Sequence, residues 1–333
     1  MAPRPLSRAL AAYREPAAGR SIAELVLSLV PFVALWAGMW IALTIVGYWL
    51  ALLLAVPAAG FLVRLFLIQH DCGHGSVFRT QRANNWLGRI LGVITLTPYD
   101  HWRRTHALHH AGSGNLCRRG IGDVATLTVR EYGERSPWGR LRYRVYRSAP
   151  VLFGIGPFFV FVLQHRLPIG FMGAGRLHWV STMGTNAAIL AGALGLAYAV
   201  GFGTFLMIHL PIIFLGSGAG VWLFYIQHQF ESTHWDADDR WQHHDAALHG
   251  SSYYDLPAPL RWLSANVGIH HVHHLASRIP HYRLPEVLRD YPELRTLNRL
   301  TLRQSLRCVA LTLWDEDKRR LVPFRAAAPQ AAL

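Results

Sequence analysis

Two long stretches without charged residues constrain the fold of this chain more than any other feature. No Asp, Glu, Lys or Arg occurs from Leu25 to Val63 or from Leu177 to Phe230. A bilayer core needs about 20 apolar residues per helix, so each stretch is long enough for two spans. Inside a bilayer only helices and closed barrels satisfy every backbone hydrogen bond. The sequence therefore predicts an all-α membrane protein with four transmembrane helices.

The composition also indicates a membrane protein. Hydrophobic residues make up 52% of the chain and charged residues only 16%, whereas soluble domains have about 25% charged residues. Lys and Arg number 33 against 19 Asp and Glu, which gives a net charge of +14. A basic membrane protein suits an anionic leaflet or an acidic electron-carrying partner. An excess of arginine on one side of the bilayer explains the charge equally well.

Glycine marks the turns inside both uncharged stretches. In the first we expect a tight turn at residues 47–49, Gly-Tyr-Trp, whose aromatic side chains suit the membrane interface. We expect the second span to end at Arg64. In the second stretch we expect spans near residues 185–201 and 205–227, joined by the Gly-Phe-Gly sequence at 201–203.

Shorter apolar segments are expected at the membrane surface. Trp86–Thr97 is apolar but short and contains Arg89, which is typical of an interfacial amphipathic helix. Residues 149–163 are few for a span and contain Gly and Pro, which favours a re-entrant or interfacial piece. Ala125–Val129 is a candidate for a short extended segment. The expected architecture is therefore four spans, interfacial helices and a cytoplasmic histidine-rich cap.

Both ends of the chain are polar. Residues 1–21 carry four arginines and predict a cytoplasmic, partly disordered start. Residues 320–333, rich in Arg, Pro and Ala, predict a disordered tail. We expect no cleavable signal peptide, because the first apolar run is too long for one. Since we find neither a linker nor an internal repeat beyond the histidine clusters, we expect a single domain over residues 1–333.

Histidines recur in three short clusters. Residues 70–74 have the form HxxxH, and residues 106–110 and 270–274 both fit HxxHH. Positions three and four apart share a helix face, so each cluster aims two or three imidazoles in one direction. Imidazole binds Zn, Cu, Fe and Ni, and eight imidazoles are too many for one four-coordinate zinc, so we expect two metal ions. The candidate ligands are His70, His74, His106, His109, His110, His270, His273 and His274, with His228 as a ninth at the end of the fourth predicted span.

The predicted topology brings the clusters to one side of the bilayer. Two spans precede His70, and two more separate His110 from His270. Nearly all arginines fall on this same side, and none occurs in the two short opposite loops. Because positive residues accumulate on the cytoplasmic side, we expect the metal centre at the cytoplasmic face.

Metal-bound histidines usually donate their second nitrogen to a carboxylate or carbonyl group. Spacing alone does not identify the partners; the candidates are Asp71, Asp100, Asp123, Glu231 and Asn266. We expect Cys72 to be a small packing residue, and the odd count of three cysteines without CxxC argues against structural disulfides. The remaining histidines lack a ligand spacing and are expected at surface, interfacial or outer positions: His101, His165, His178, His209, His234, His243, His244, His249, His271 and His281.

Several stretches around these histidines resemble the integral-membrane fatty acid desaturases, most of all the bacterial and cyanobacterial acyl-lipid group. The similarity runs from about His70 to Pro285 with the histidines in the same order. The stretches are HDCGHGS (70–76), WRRTHALHH (102–110), SGNLCRRGIGDVATLTVREY (113–132), GVWLFYIQHQFE (220–231), GSSYYDLP (250–257) and NVGIHHVHHLASRIPHYRLP (266–285).

The resemblance implies a non-haem centre of two iron ions, held by the eight cluster histidines and His228 on the cytoplasmic face. It implies O₂-dependent insertion of a double bond into a long acyl chain, carried by a lipid or a thioester. Electrons would come from a separate ferredoxin or cytochrome b5-like protein, since no fused cytochrome b5 domain is visible. The expected location is a bacterial inner membrane.

Two positions depart from related enzymes. Some animal acyl-CoA desaturases have an Asn that contacts iron through water where this chain has Phe224. Desaturases that act between an existing double bond and the carboxyl end often have Gln where this chain has His270. The resemblance therefore disfavours that water ligand and that regiochemical subtype.

Alternative functions remain open on the residues alone. A membrane hydroxylase or ketolase acting on alkanes, fatty acids or carotenoids uses the same metal set. A divalent-metal transporter is less consistent, because transporters place polar ligands near the bilayer midplane, whereas these histidines lie at or beyond the span ends. For a desaturase we expect an apolar tunnel beneath the metals, with Trp102, Trp222, Phe224 and Tyr225 as candidate lining residues.

Overall fold

A computed structural model describes residues 6–120 and 122–327 of the chain, and most of them are helical. The helices are α1 (Leu6–Ala9), α2 (Ala18–Ile45), α3 (Tyr48–His74), α4 (Gln81–Ile94), α5 (Tyr99–Gly112), α6 (Val129–Gly133), α7 (Pro137–Tyr146), α8 (Gly156–Val162), α9 (Arg176–Val200), α10 (Phe202–His228), α11 (His243–His249), α12 (Ala258–Leu263), α13 (His270–Leu275), α14 (Leu284–Asp290) and α15 (Leu302–Cys308). The strands are β1 (Leu127–Thr128), β2 (Tyr253–Asp255), β3 (Arg299–Thr301), β4 (Leu313–Asp315) and β5 (Arg320–Val322).

Four helices are long and apolar enough to cross a membrane: α2, α3, α9 and α10. The predicted fold class is therefore confirmed. Helix α3 continues beyond Arg64, where the second span was expected to end, as far as His74. Between α9 and α10 the chain turns at Gly201 alone, whose φ of +89° suits glycine.

Helix α3 lies at the centre of the spans and packs against α2, α10 and α4. Its small residues Ala51, Ala55 and Ala58 are fully buried, and a Cβ on Gly216 of α10 would lie 3.1 Å from Leu62 Cδ2. Small residues let membrane helices approach closely. This packing places the ends of α3 and α10 side by side, which is where the histidines lie.

The segment between α7 and α9 is helical but bent. A π-helical turn at Val151–Ile155, helix α8 and a 3₁₀ turn at Gln164–Arg166 follow α7 at an angle of 57°. Such a bend fits a broken span or a re-entrant loop. The second and third histidine clusters meet, so an even number of crossings must separate them. Helices α9 and α10 already supply two crossings, and a third would put the last cluster on the opposite side. We therefore interpret this segment as re-entrant.

A cap of short helices and strands covers one end of the spans. Helix α4 corresponds to the predicted interfacial helix and exposes Trp86 and Ile90. Strand β1 falls inside the predicted extended segment. It pairs in parallel with β4, which pairs antiparallel with β5, and β2 pairs in parallel with β3.

Parts of the two terminal segments in which disorder was expected form regular structure where the structure describes them. From residue 6 onward the start is helical, with Leu10 fully buried and Tyr13 Oη donating to Asp290 Oδ2 at 2.7 Å. In the tail, β5 pairs with β4 and is followed by a 3₁₀ turn at Phe324–Ala327. Both segments are polar in overall composition, but the apolar residues within them, Leu10, Leu321 and Val322, are buried and hold them against the rest of the protein. Residues 1–5 and 328–333 lie outside the described residues.

Candidate metal centre

Four helices bring nine histidines together at one end of the spans. Helix α3 contributes its last turn, α5 and α13 contribute the two HxxHH clusters, and α10 ends in His228. The histidines form two groups in which the candidate ligand atoms all lie within 4.8 Å of one another. The five-histidine group is His70, His74, His106, His110 and His273, and the four-histidine group is His109, His228, His270 and His274.

Nitrogens of the five-histidine group face one another at ligand-like spacing. Nε2 of His106 lies 3.0 Å from Nε2 of His74 and 3.1 Å from that of His110. Nε2 of His273 lies 3.2 Å from that of His110. Two nitrogens each about 2.1 Å from one ion, at right angles, would be about 3.0 Å apart. The spacing therefore fits a shared metal ion.

The four-histidine group leaves buried nitrogens without partners. Nε2 of His270 lies 3.0 Å from Nε2 of His228, whereas Nε2 of His109 and of His274 have no hydrogen-bond partner among the residues that the structure describes. Buried polar atoms nearly always have a partner. These two unpaired nitrogens are therefore available to bind a metal ion. The donor set, imidazole alone, suits a transition metal.

The groups are adjacent, since the rings of His110 and His274 stack at 4.1 Å and 13° although they belong to different groups. Burial, and then repulsion from neighbouring imidazoles, holds the pKa of His110 and of His274 well below the ordinary value. Metal ligation requires neutral imidazole. The environment therefore favours the protonation state that binds metal.

Helical geometry determines which histidine enters which group. In all three clusters the residues at i and i+4 belong to the same group, as for His106 and His110, while the third histidine of each HxxHH cluster belongs to the other group. Neighbouring residues on a helix differ in direction by about 100°, so His109 and His110 enter different groups. Each cluster thus aims two imidazoles in one direction, within the two or three expected from helical spacing.

Two of the five candidate outer partners contact cluster histidines. Asp123 Oδ1 lies 2.7 Å from His109 Nδ1, and Asp71 Oδ1 lies 3.3 Å from His70 Nδ1. The others do not serve this role among the described contacts: Asp100 pairs with Arg89, Asn266 donates to the His281 carbonyl, and Glu231 is exposed.

His281 is a partner that the sequence did not single out. Its backbone N–H and its Nδ1 both lie 2.9 Å from Asp71 Oδ2. Burial alone would lower the pKa of His281, but the Asp71 and Glu24 carboxylates raise it above its ordinary value. Its position shortly after the third cluster could have indicated a role near the metal centre, although His281 has no ligand spacing.

Aromatic rings border both groups. Trp102 stacks on His106 at 4.6 Å and 12°, and Phe224 lies 5.2 Å from His109 and 5.4 Å from His228. A small cavity beside His228 is lined by Phe224 and Asp123. Both rings were predicted to line a substrate tunnel; the tunnel itself stays a prediction.

The other two predicted tunnel residues have different partners. Tyr225 Oη donates to the Cys308 carbonyl at 2.8 Å, and Trp222 Nε1 lies 3.4 Å from Tyr254 Oη. Cys72 is fully buried in the apolar core between the spans and is in neither group, so the interpretation as a packing residue fits. None of the ten other histidines joins the two groups; His101 and His178, for example, pair at 2.9 Å.

Comparison with known proteins agrees with this site. The sequence model of the family described as "Fatty acid desaturase" matches residues 44–305. A fatty acid desaturase of Bacillus subtilis is 42% identical over 321 residues, 96% of this chain and 90% of that protein. An sn-1 acyl-lipid omega-3 desaturase (ferredoxin) of Synechocystis is 30% identical over 234 residues, 66% of this chain and 61% of that protein. An sn-1 oleoyl-lipid 12-desaturase of Anabaena variabilis is 24% identical over 266 residues, 74% and 70% of the two chains.

The family match spans all three histidine clusters and His228, and the Bacillus subtilis relative aligns over nearly its whole length. The resemblance inferred from the motifs is thereby confirmed. The three relatives are named as desaturases rather than as hydroxylases, ketolases or transporters. The chain therefore belongs to the fatty acid desaturase family of membrane-bound oxidoreductases.

Proposed function

We propose that the nine histidines hold two iron ions, one in each group, and that the enzyme desaturates a long acyl chain. The observation that carries the proposal is the pair of adjacent all-imidazole groups with unpaired buried nitrogens. Imidazole also suits zinc and copper. Zinc does not suit an oxidation because it has no redox chemistry, and iron is preferred over copper because the resemblance to the fatty acid desaturases implies an iron pair.

The reaction balances with O₂ and an external electron donor. Two adjacent methylene groups lose two hydrogen atoms, and these combine with O₂, two electrons and two protons to give a double bond and two water molecules. When bound, the iron pair supplies oxidation of an unactivated C–H bond, which no side-chain acid or base can perform.

The side chains of this protein hold and shield the centre. Asp123 and Asp71 lie on the Nδ1 side of His109 and His70, which leaves the Nε2 side of each ring for metal. Phe224 covers the four-histidine group and keeps water away from it. Exclusion of water protects the oxidant from side reactions before the acyl chain arrives.

The substrate is proposed to be a fatty acyl lipid that enters from the membrane. Cyanobacterial relatives are named acyl-lipid desaturases, and one name includes ferredoxin. The net charge of +14 suits a separate acidic electron carrier of the ferredoxin or cytochrome b5-like kind. With arginines on the side of the clusters, the site is proposed to face the cytoplasm at a bacterial inner membrane.

The test is expression in a host of known lipid composition, followed by gas chromatography and mass spectrometry of its fatty acids. The wild-type chain is expected to introduce a double bond at a definable position, and the purified protein to contain two iron ions. His109→Ala and His273→Ala, one from each group, are expected to abolish turnover. His244→Ala, an exposed histidine outside both groups, is the matched control.

Other outcomes would contradict the proposal in distinct ways. A new hydroxyl group in place of a double bond would favour the hydroxylase alternative. Normal unsaturated product from His109→Ala or His273→Ala would refute the ligand assignment. Metal uptake into cells without O₂ consumption would favour transport.

A further inference from the structure

A buried acidic residue lies in the first membrane-spanning helix. Glu24 of α2 is 2% exposed and lies outside the part of the chain matched by the family model. Glu24 directly precedes the uncharged stretch that is expected in the bilayer, and a buried ionisable side chain is costly unless it is paired. None of the nine histidines lies on α2, so any role of Glu24 at the metal centre must be indirect.

A chain of polar contacts connects Glu24 to the five-histidine group. His281 Nε2 lies 3.9 Å from Glu24 Oε2, within reach of an ion pair but too far for a hydrogen bond. The opposite nitrogen of His281, Nδ1, lies 2.9 Å from Asp71 Oδ2. The other oxygen of Asp71 lies 3.3 Å from His70 Nδ1. Three contacts therefore connect the first span to a candidate ligand.

The contacts are confined to a closed environment. Asp71, His70 and His281 are each at most 5% exposed, and a small cavity is lined by these three residues together with His273. Little solvent reaches these contacts, and Nε2 of His281 makes no hydrogen bond to any described residue, so the Glu24 carboxylate at 3.9 Å is the charged group that faces this nitrogen.

Glu24 also neutralises a buried cation. Its carboxylate bonds to Arg64 of α3, which is 1% exposed and also donates from Nε to Ser28 Oγ at 3.0 Å. The second carboxylate oxygen of Glu24 lies 2.7 Å from the partly exposed Arg20. The purely structural alternative is that Glu24 serves only to balance Arg64.

We propose that Glu24 is a positioning residue of the metal centre. Glu24 holds His281 in place, His281 in turn holds the Asp71 carboxylate, and Asp71 orients the ring of His70. The inference rests on the proposed metal-binding function and extends it to the first span. Partners one contact beyond a metal ligand fix its tautomer and ring orientation. Here the chain of contacts extends two residues beyond Asp71, through His281 to Glu24 on helix α2.

The experiment separates anchoring of His281 from balancing of Arg64. The double variant Glu24→Leu/Arg64→Met removes both charges, and replacing a buried ion pair by apolar residues of similar volume is often neutral for stability. His281→Leu removes the middle of the chain while keeping the Glu24–Arg64 pair. Asp255→Leu/Arg299→Met, an ion pair away from the histidines, is the matched control.

The readout is binding of Co²⁺ to the purified, metal-stripped full-length protein in detergent, followed by the visible absorption of the bound ion. Outer partners of metal ligands typically contribute about 10- to 100-fold to affinity, so we expect a loss of about 3- to 10-fold at this greater distance. The loss should affect one of two bound ions and should alter its spectrum, while the control pair leaves both unchanged.

Non-additivity is the second expected result. If Glu24 acts through His281, adding His281→Leu to the double variant should weaken Co²⁺ binding no more than His281→Leu alone. A folded double variant with the wild-type affinity and spectrum would overturn the inference. Wild-type Co²⁺ binding by His281→Leu would also overturn the inference. If the double variant does not fold, the Co²⁺ binding of His281→Leu alone tests the inference.

The two proposals fail in different ways. A wild-type chain that binds two Co²⁺ ions while the variants bind them equally well would overturn only the role of Glu24. A wild-type chain that binds no metal would overturn the proposed metal centre, and the role of Glu24 with it.

Discussion

The carboxylate of Asp123 lies 2.7 Å from Nδ1 of His109, a histidine that is only 1% exposed. Burial opposes ionisation of Asp123, but the adjacent His109 lowers the pKa of the carboxyl group below its ordinary value. The contact lies on the Nδ1 side of the His109 ring, although its geometry is not that of a hydrogen bond, and it leaves Nε2 as the nitrogen available to the four-histidine group. The loop before β1 therefore supplies a charged neighbour to a buried histidine on α5.

Asp123→Asn is expected to weaken metal binding by the four-histidine group about 10- to 100-fold, the range found for outer partners of metal ligands. The measurement is iron content per chain after purification at limiting iron, together with desaturation in cells. Asp100→Asn is the control, because Asp100 lies on α5 but pairs with Arg89. Two tightly bound irons in Asp123→Asn would contradict the proposed coupling.

Phe224→Ala is expected to uncouple O₂ consumption from product formation. The ring covers His109 and His228 at 5.2 and 5.4 Å, so its removal admits water to the four-histidine group. We expect several-fold fewer double bonds per O₂ consumed, measured with an oxygen electrode and fatty acid analysis. Phe224→Leu retains an apolar cover and should preserve most of the coupling; equal ratios in Phe224→Ala and wild type would refute the shielding role.

Gly92→Ala is expected to destabilise the fold by about 1–3 kcal/mol, the usual cost of overpacking. A Cβ at this position of α4 would lie 2.4 Å from the backbone oxygen of Thr97, which cannot retreat without moving the start of α5. Thermal unfolding in detergent measures the effect. Gly184→Ala on α9 meets no atom within 4 Å and should unfold at or slightly above the wild-type temperature.

Removal of metal is expected to lower the unfolding temperature. Without an ion, the Nε2 atoms of His109 and His274 stay buried and unpaired, and the ligand no longer favours the folded state. Free Fe²⁺ at 100 times its dissociation constant contributes about 2.7 kcal/mol. Chelator treatment followed by anaerobic Fe²⁺ addition should lower and then restore the unfolding temperature, and unchanged values would argue against a metal centre.

Acid is expected to destabilise the contact between α5 and α9. Burial first, and then the neighbouring His178, lower the pKa of His101 from its ordinary 6.5 to about 4. The unfolded chain therefore takes up this proton first, so stability is complete above about pH 6.5 and declines towards pH 4. Unfolding temperatures between pH 7.5 and 5 measure the decline. His101→Phe should flatten it, and an equally steep decline in that variant would contradict the assignment.

Much of this architecture follows from local sequence. Uncharged apolar stretches predict the four spans because charged side chains are costly inside a bilayer. The i, i+4 spacing predicts that His106 and His110 act together because a helix repeats every 3.6 residues. The even number of spans between clusters correctly brought the histidines to one side. Local patterns failed near Leu10 and Val322, where burial depends on apolar partners distant in sequence.

Only the tertiary structure decided how the histidines combine. His109 and His110 are neighbours in sequence, yet one joins α10 and the other joins α3, because their directions on α5 differ and each meets a different helix end. Asp123 and Asp100 look alike in sequence, but packing puts only Asp123 against a cluster histidine. The sequence determines the faces of each helix, whereas the packing of one helix against another determines which faces share a metal ion.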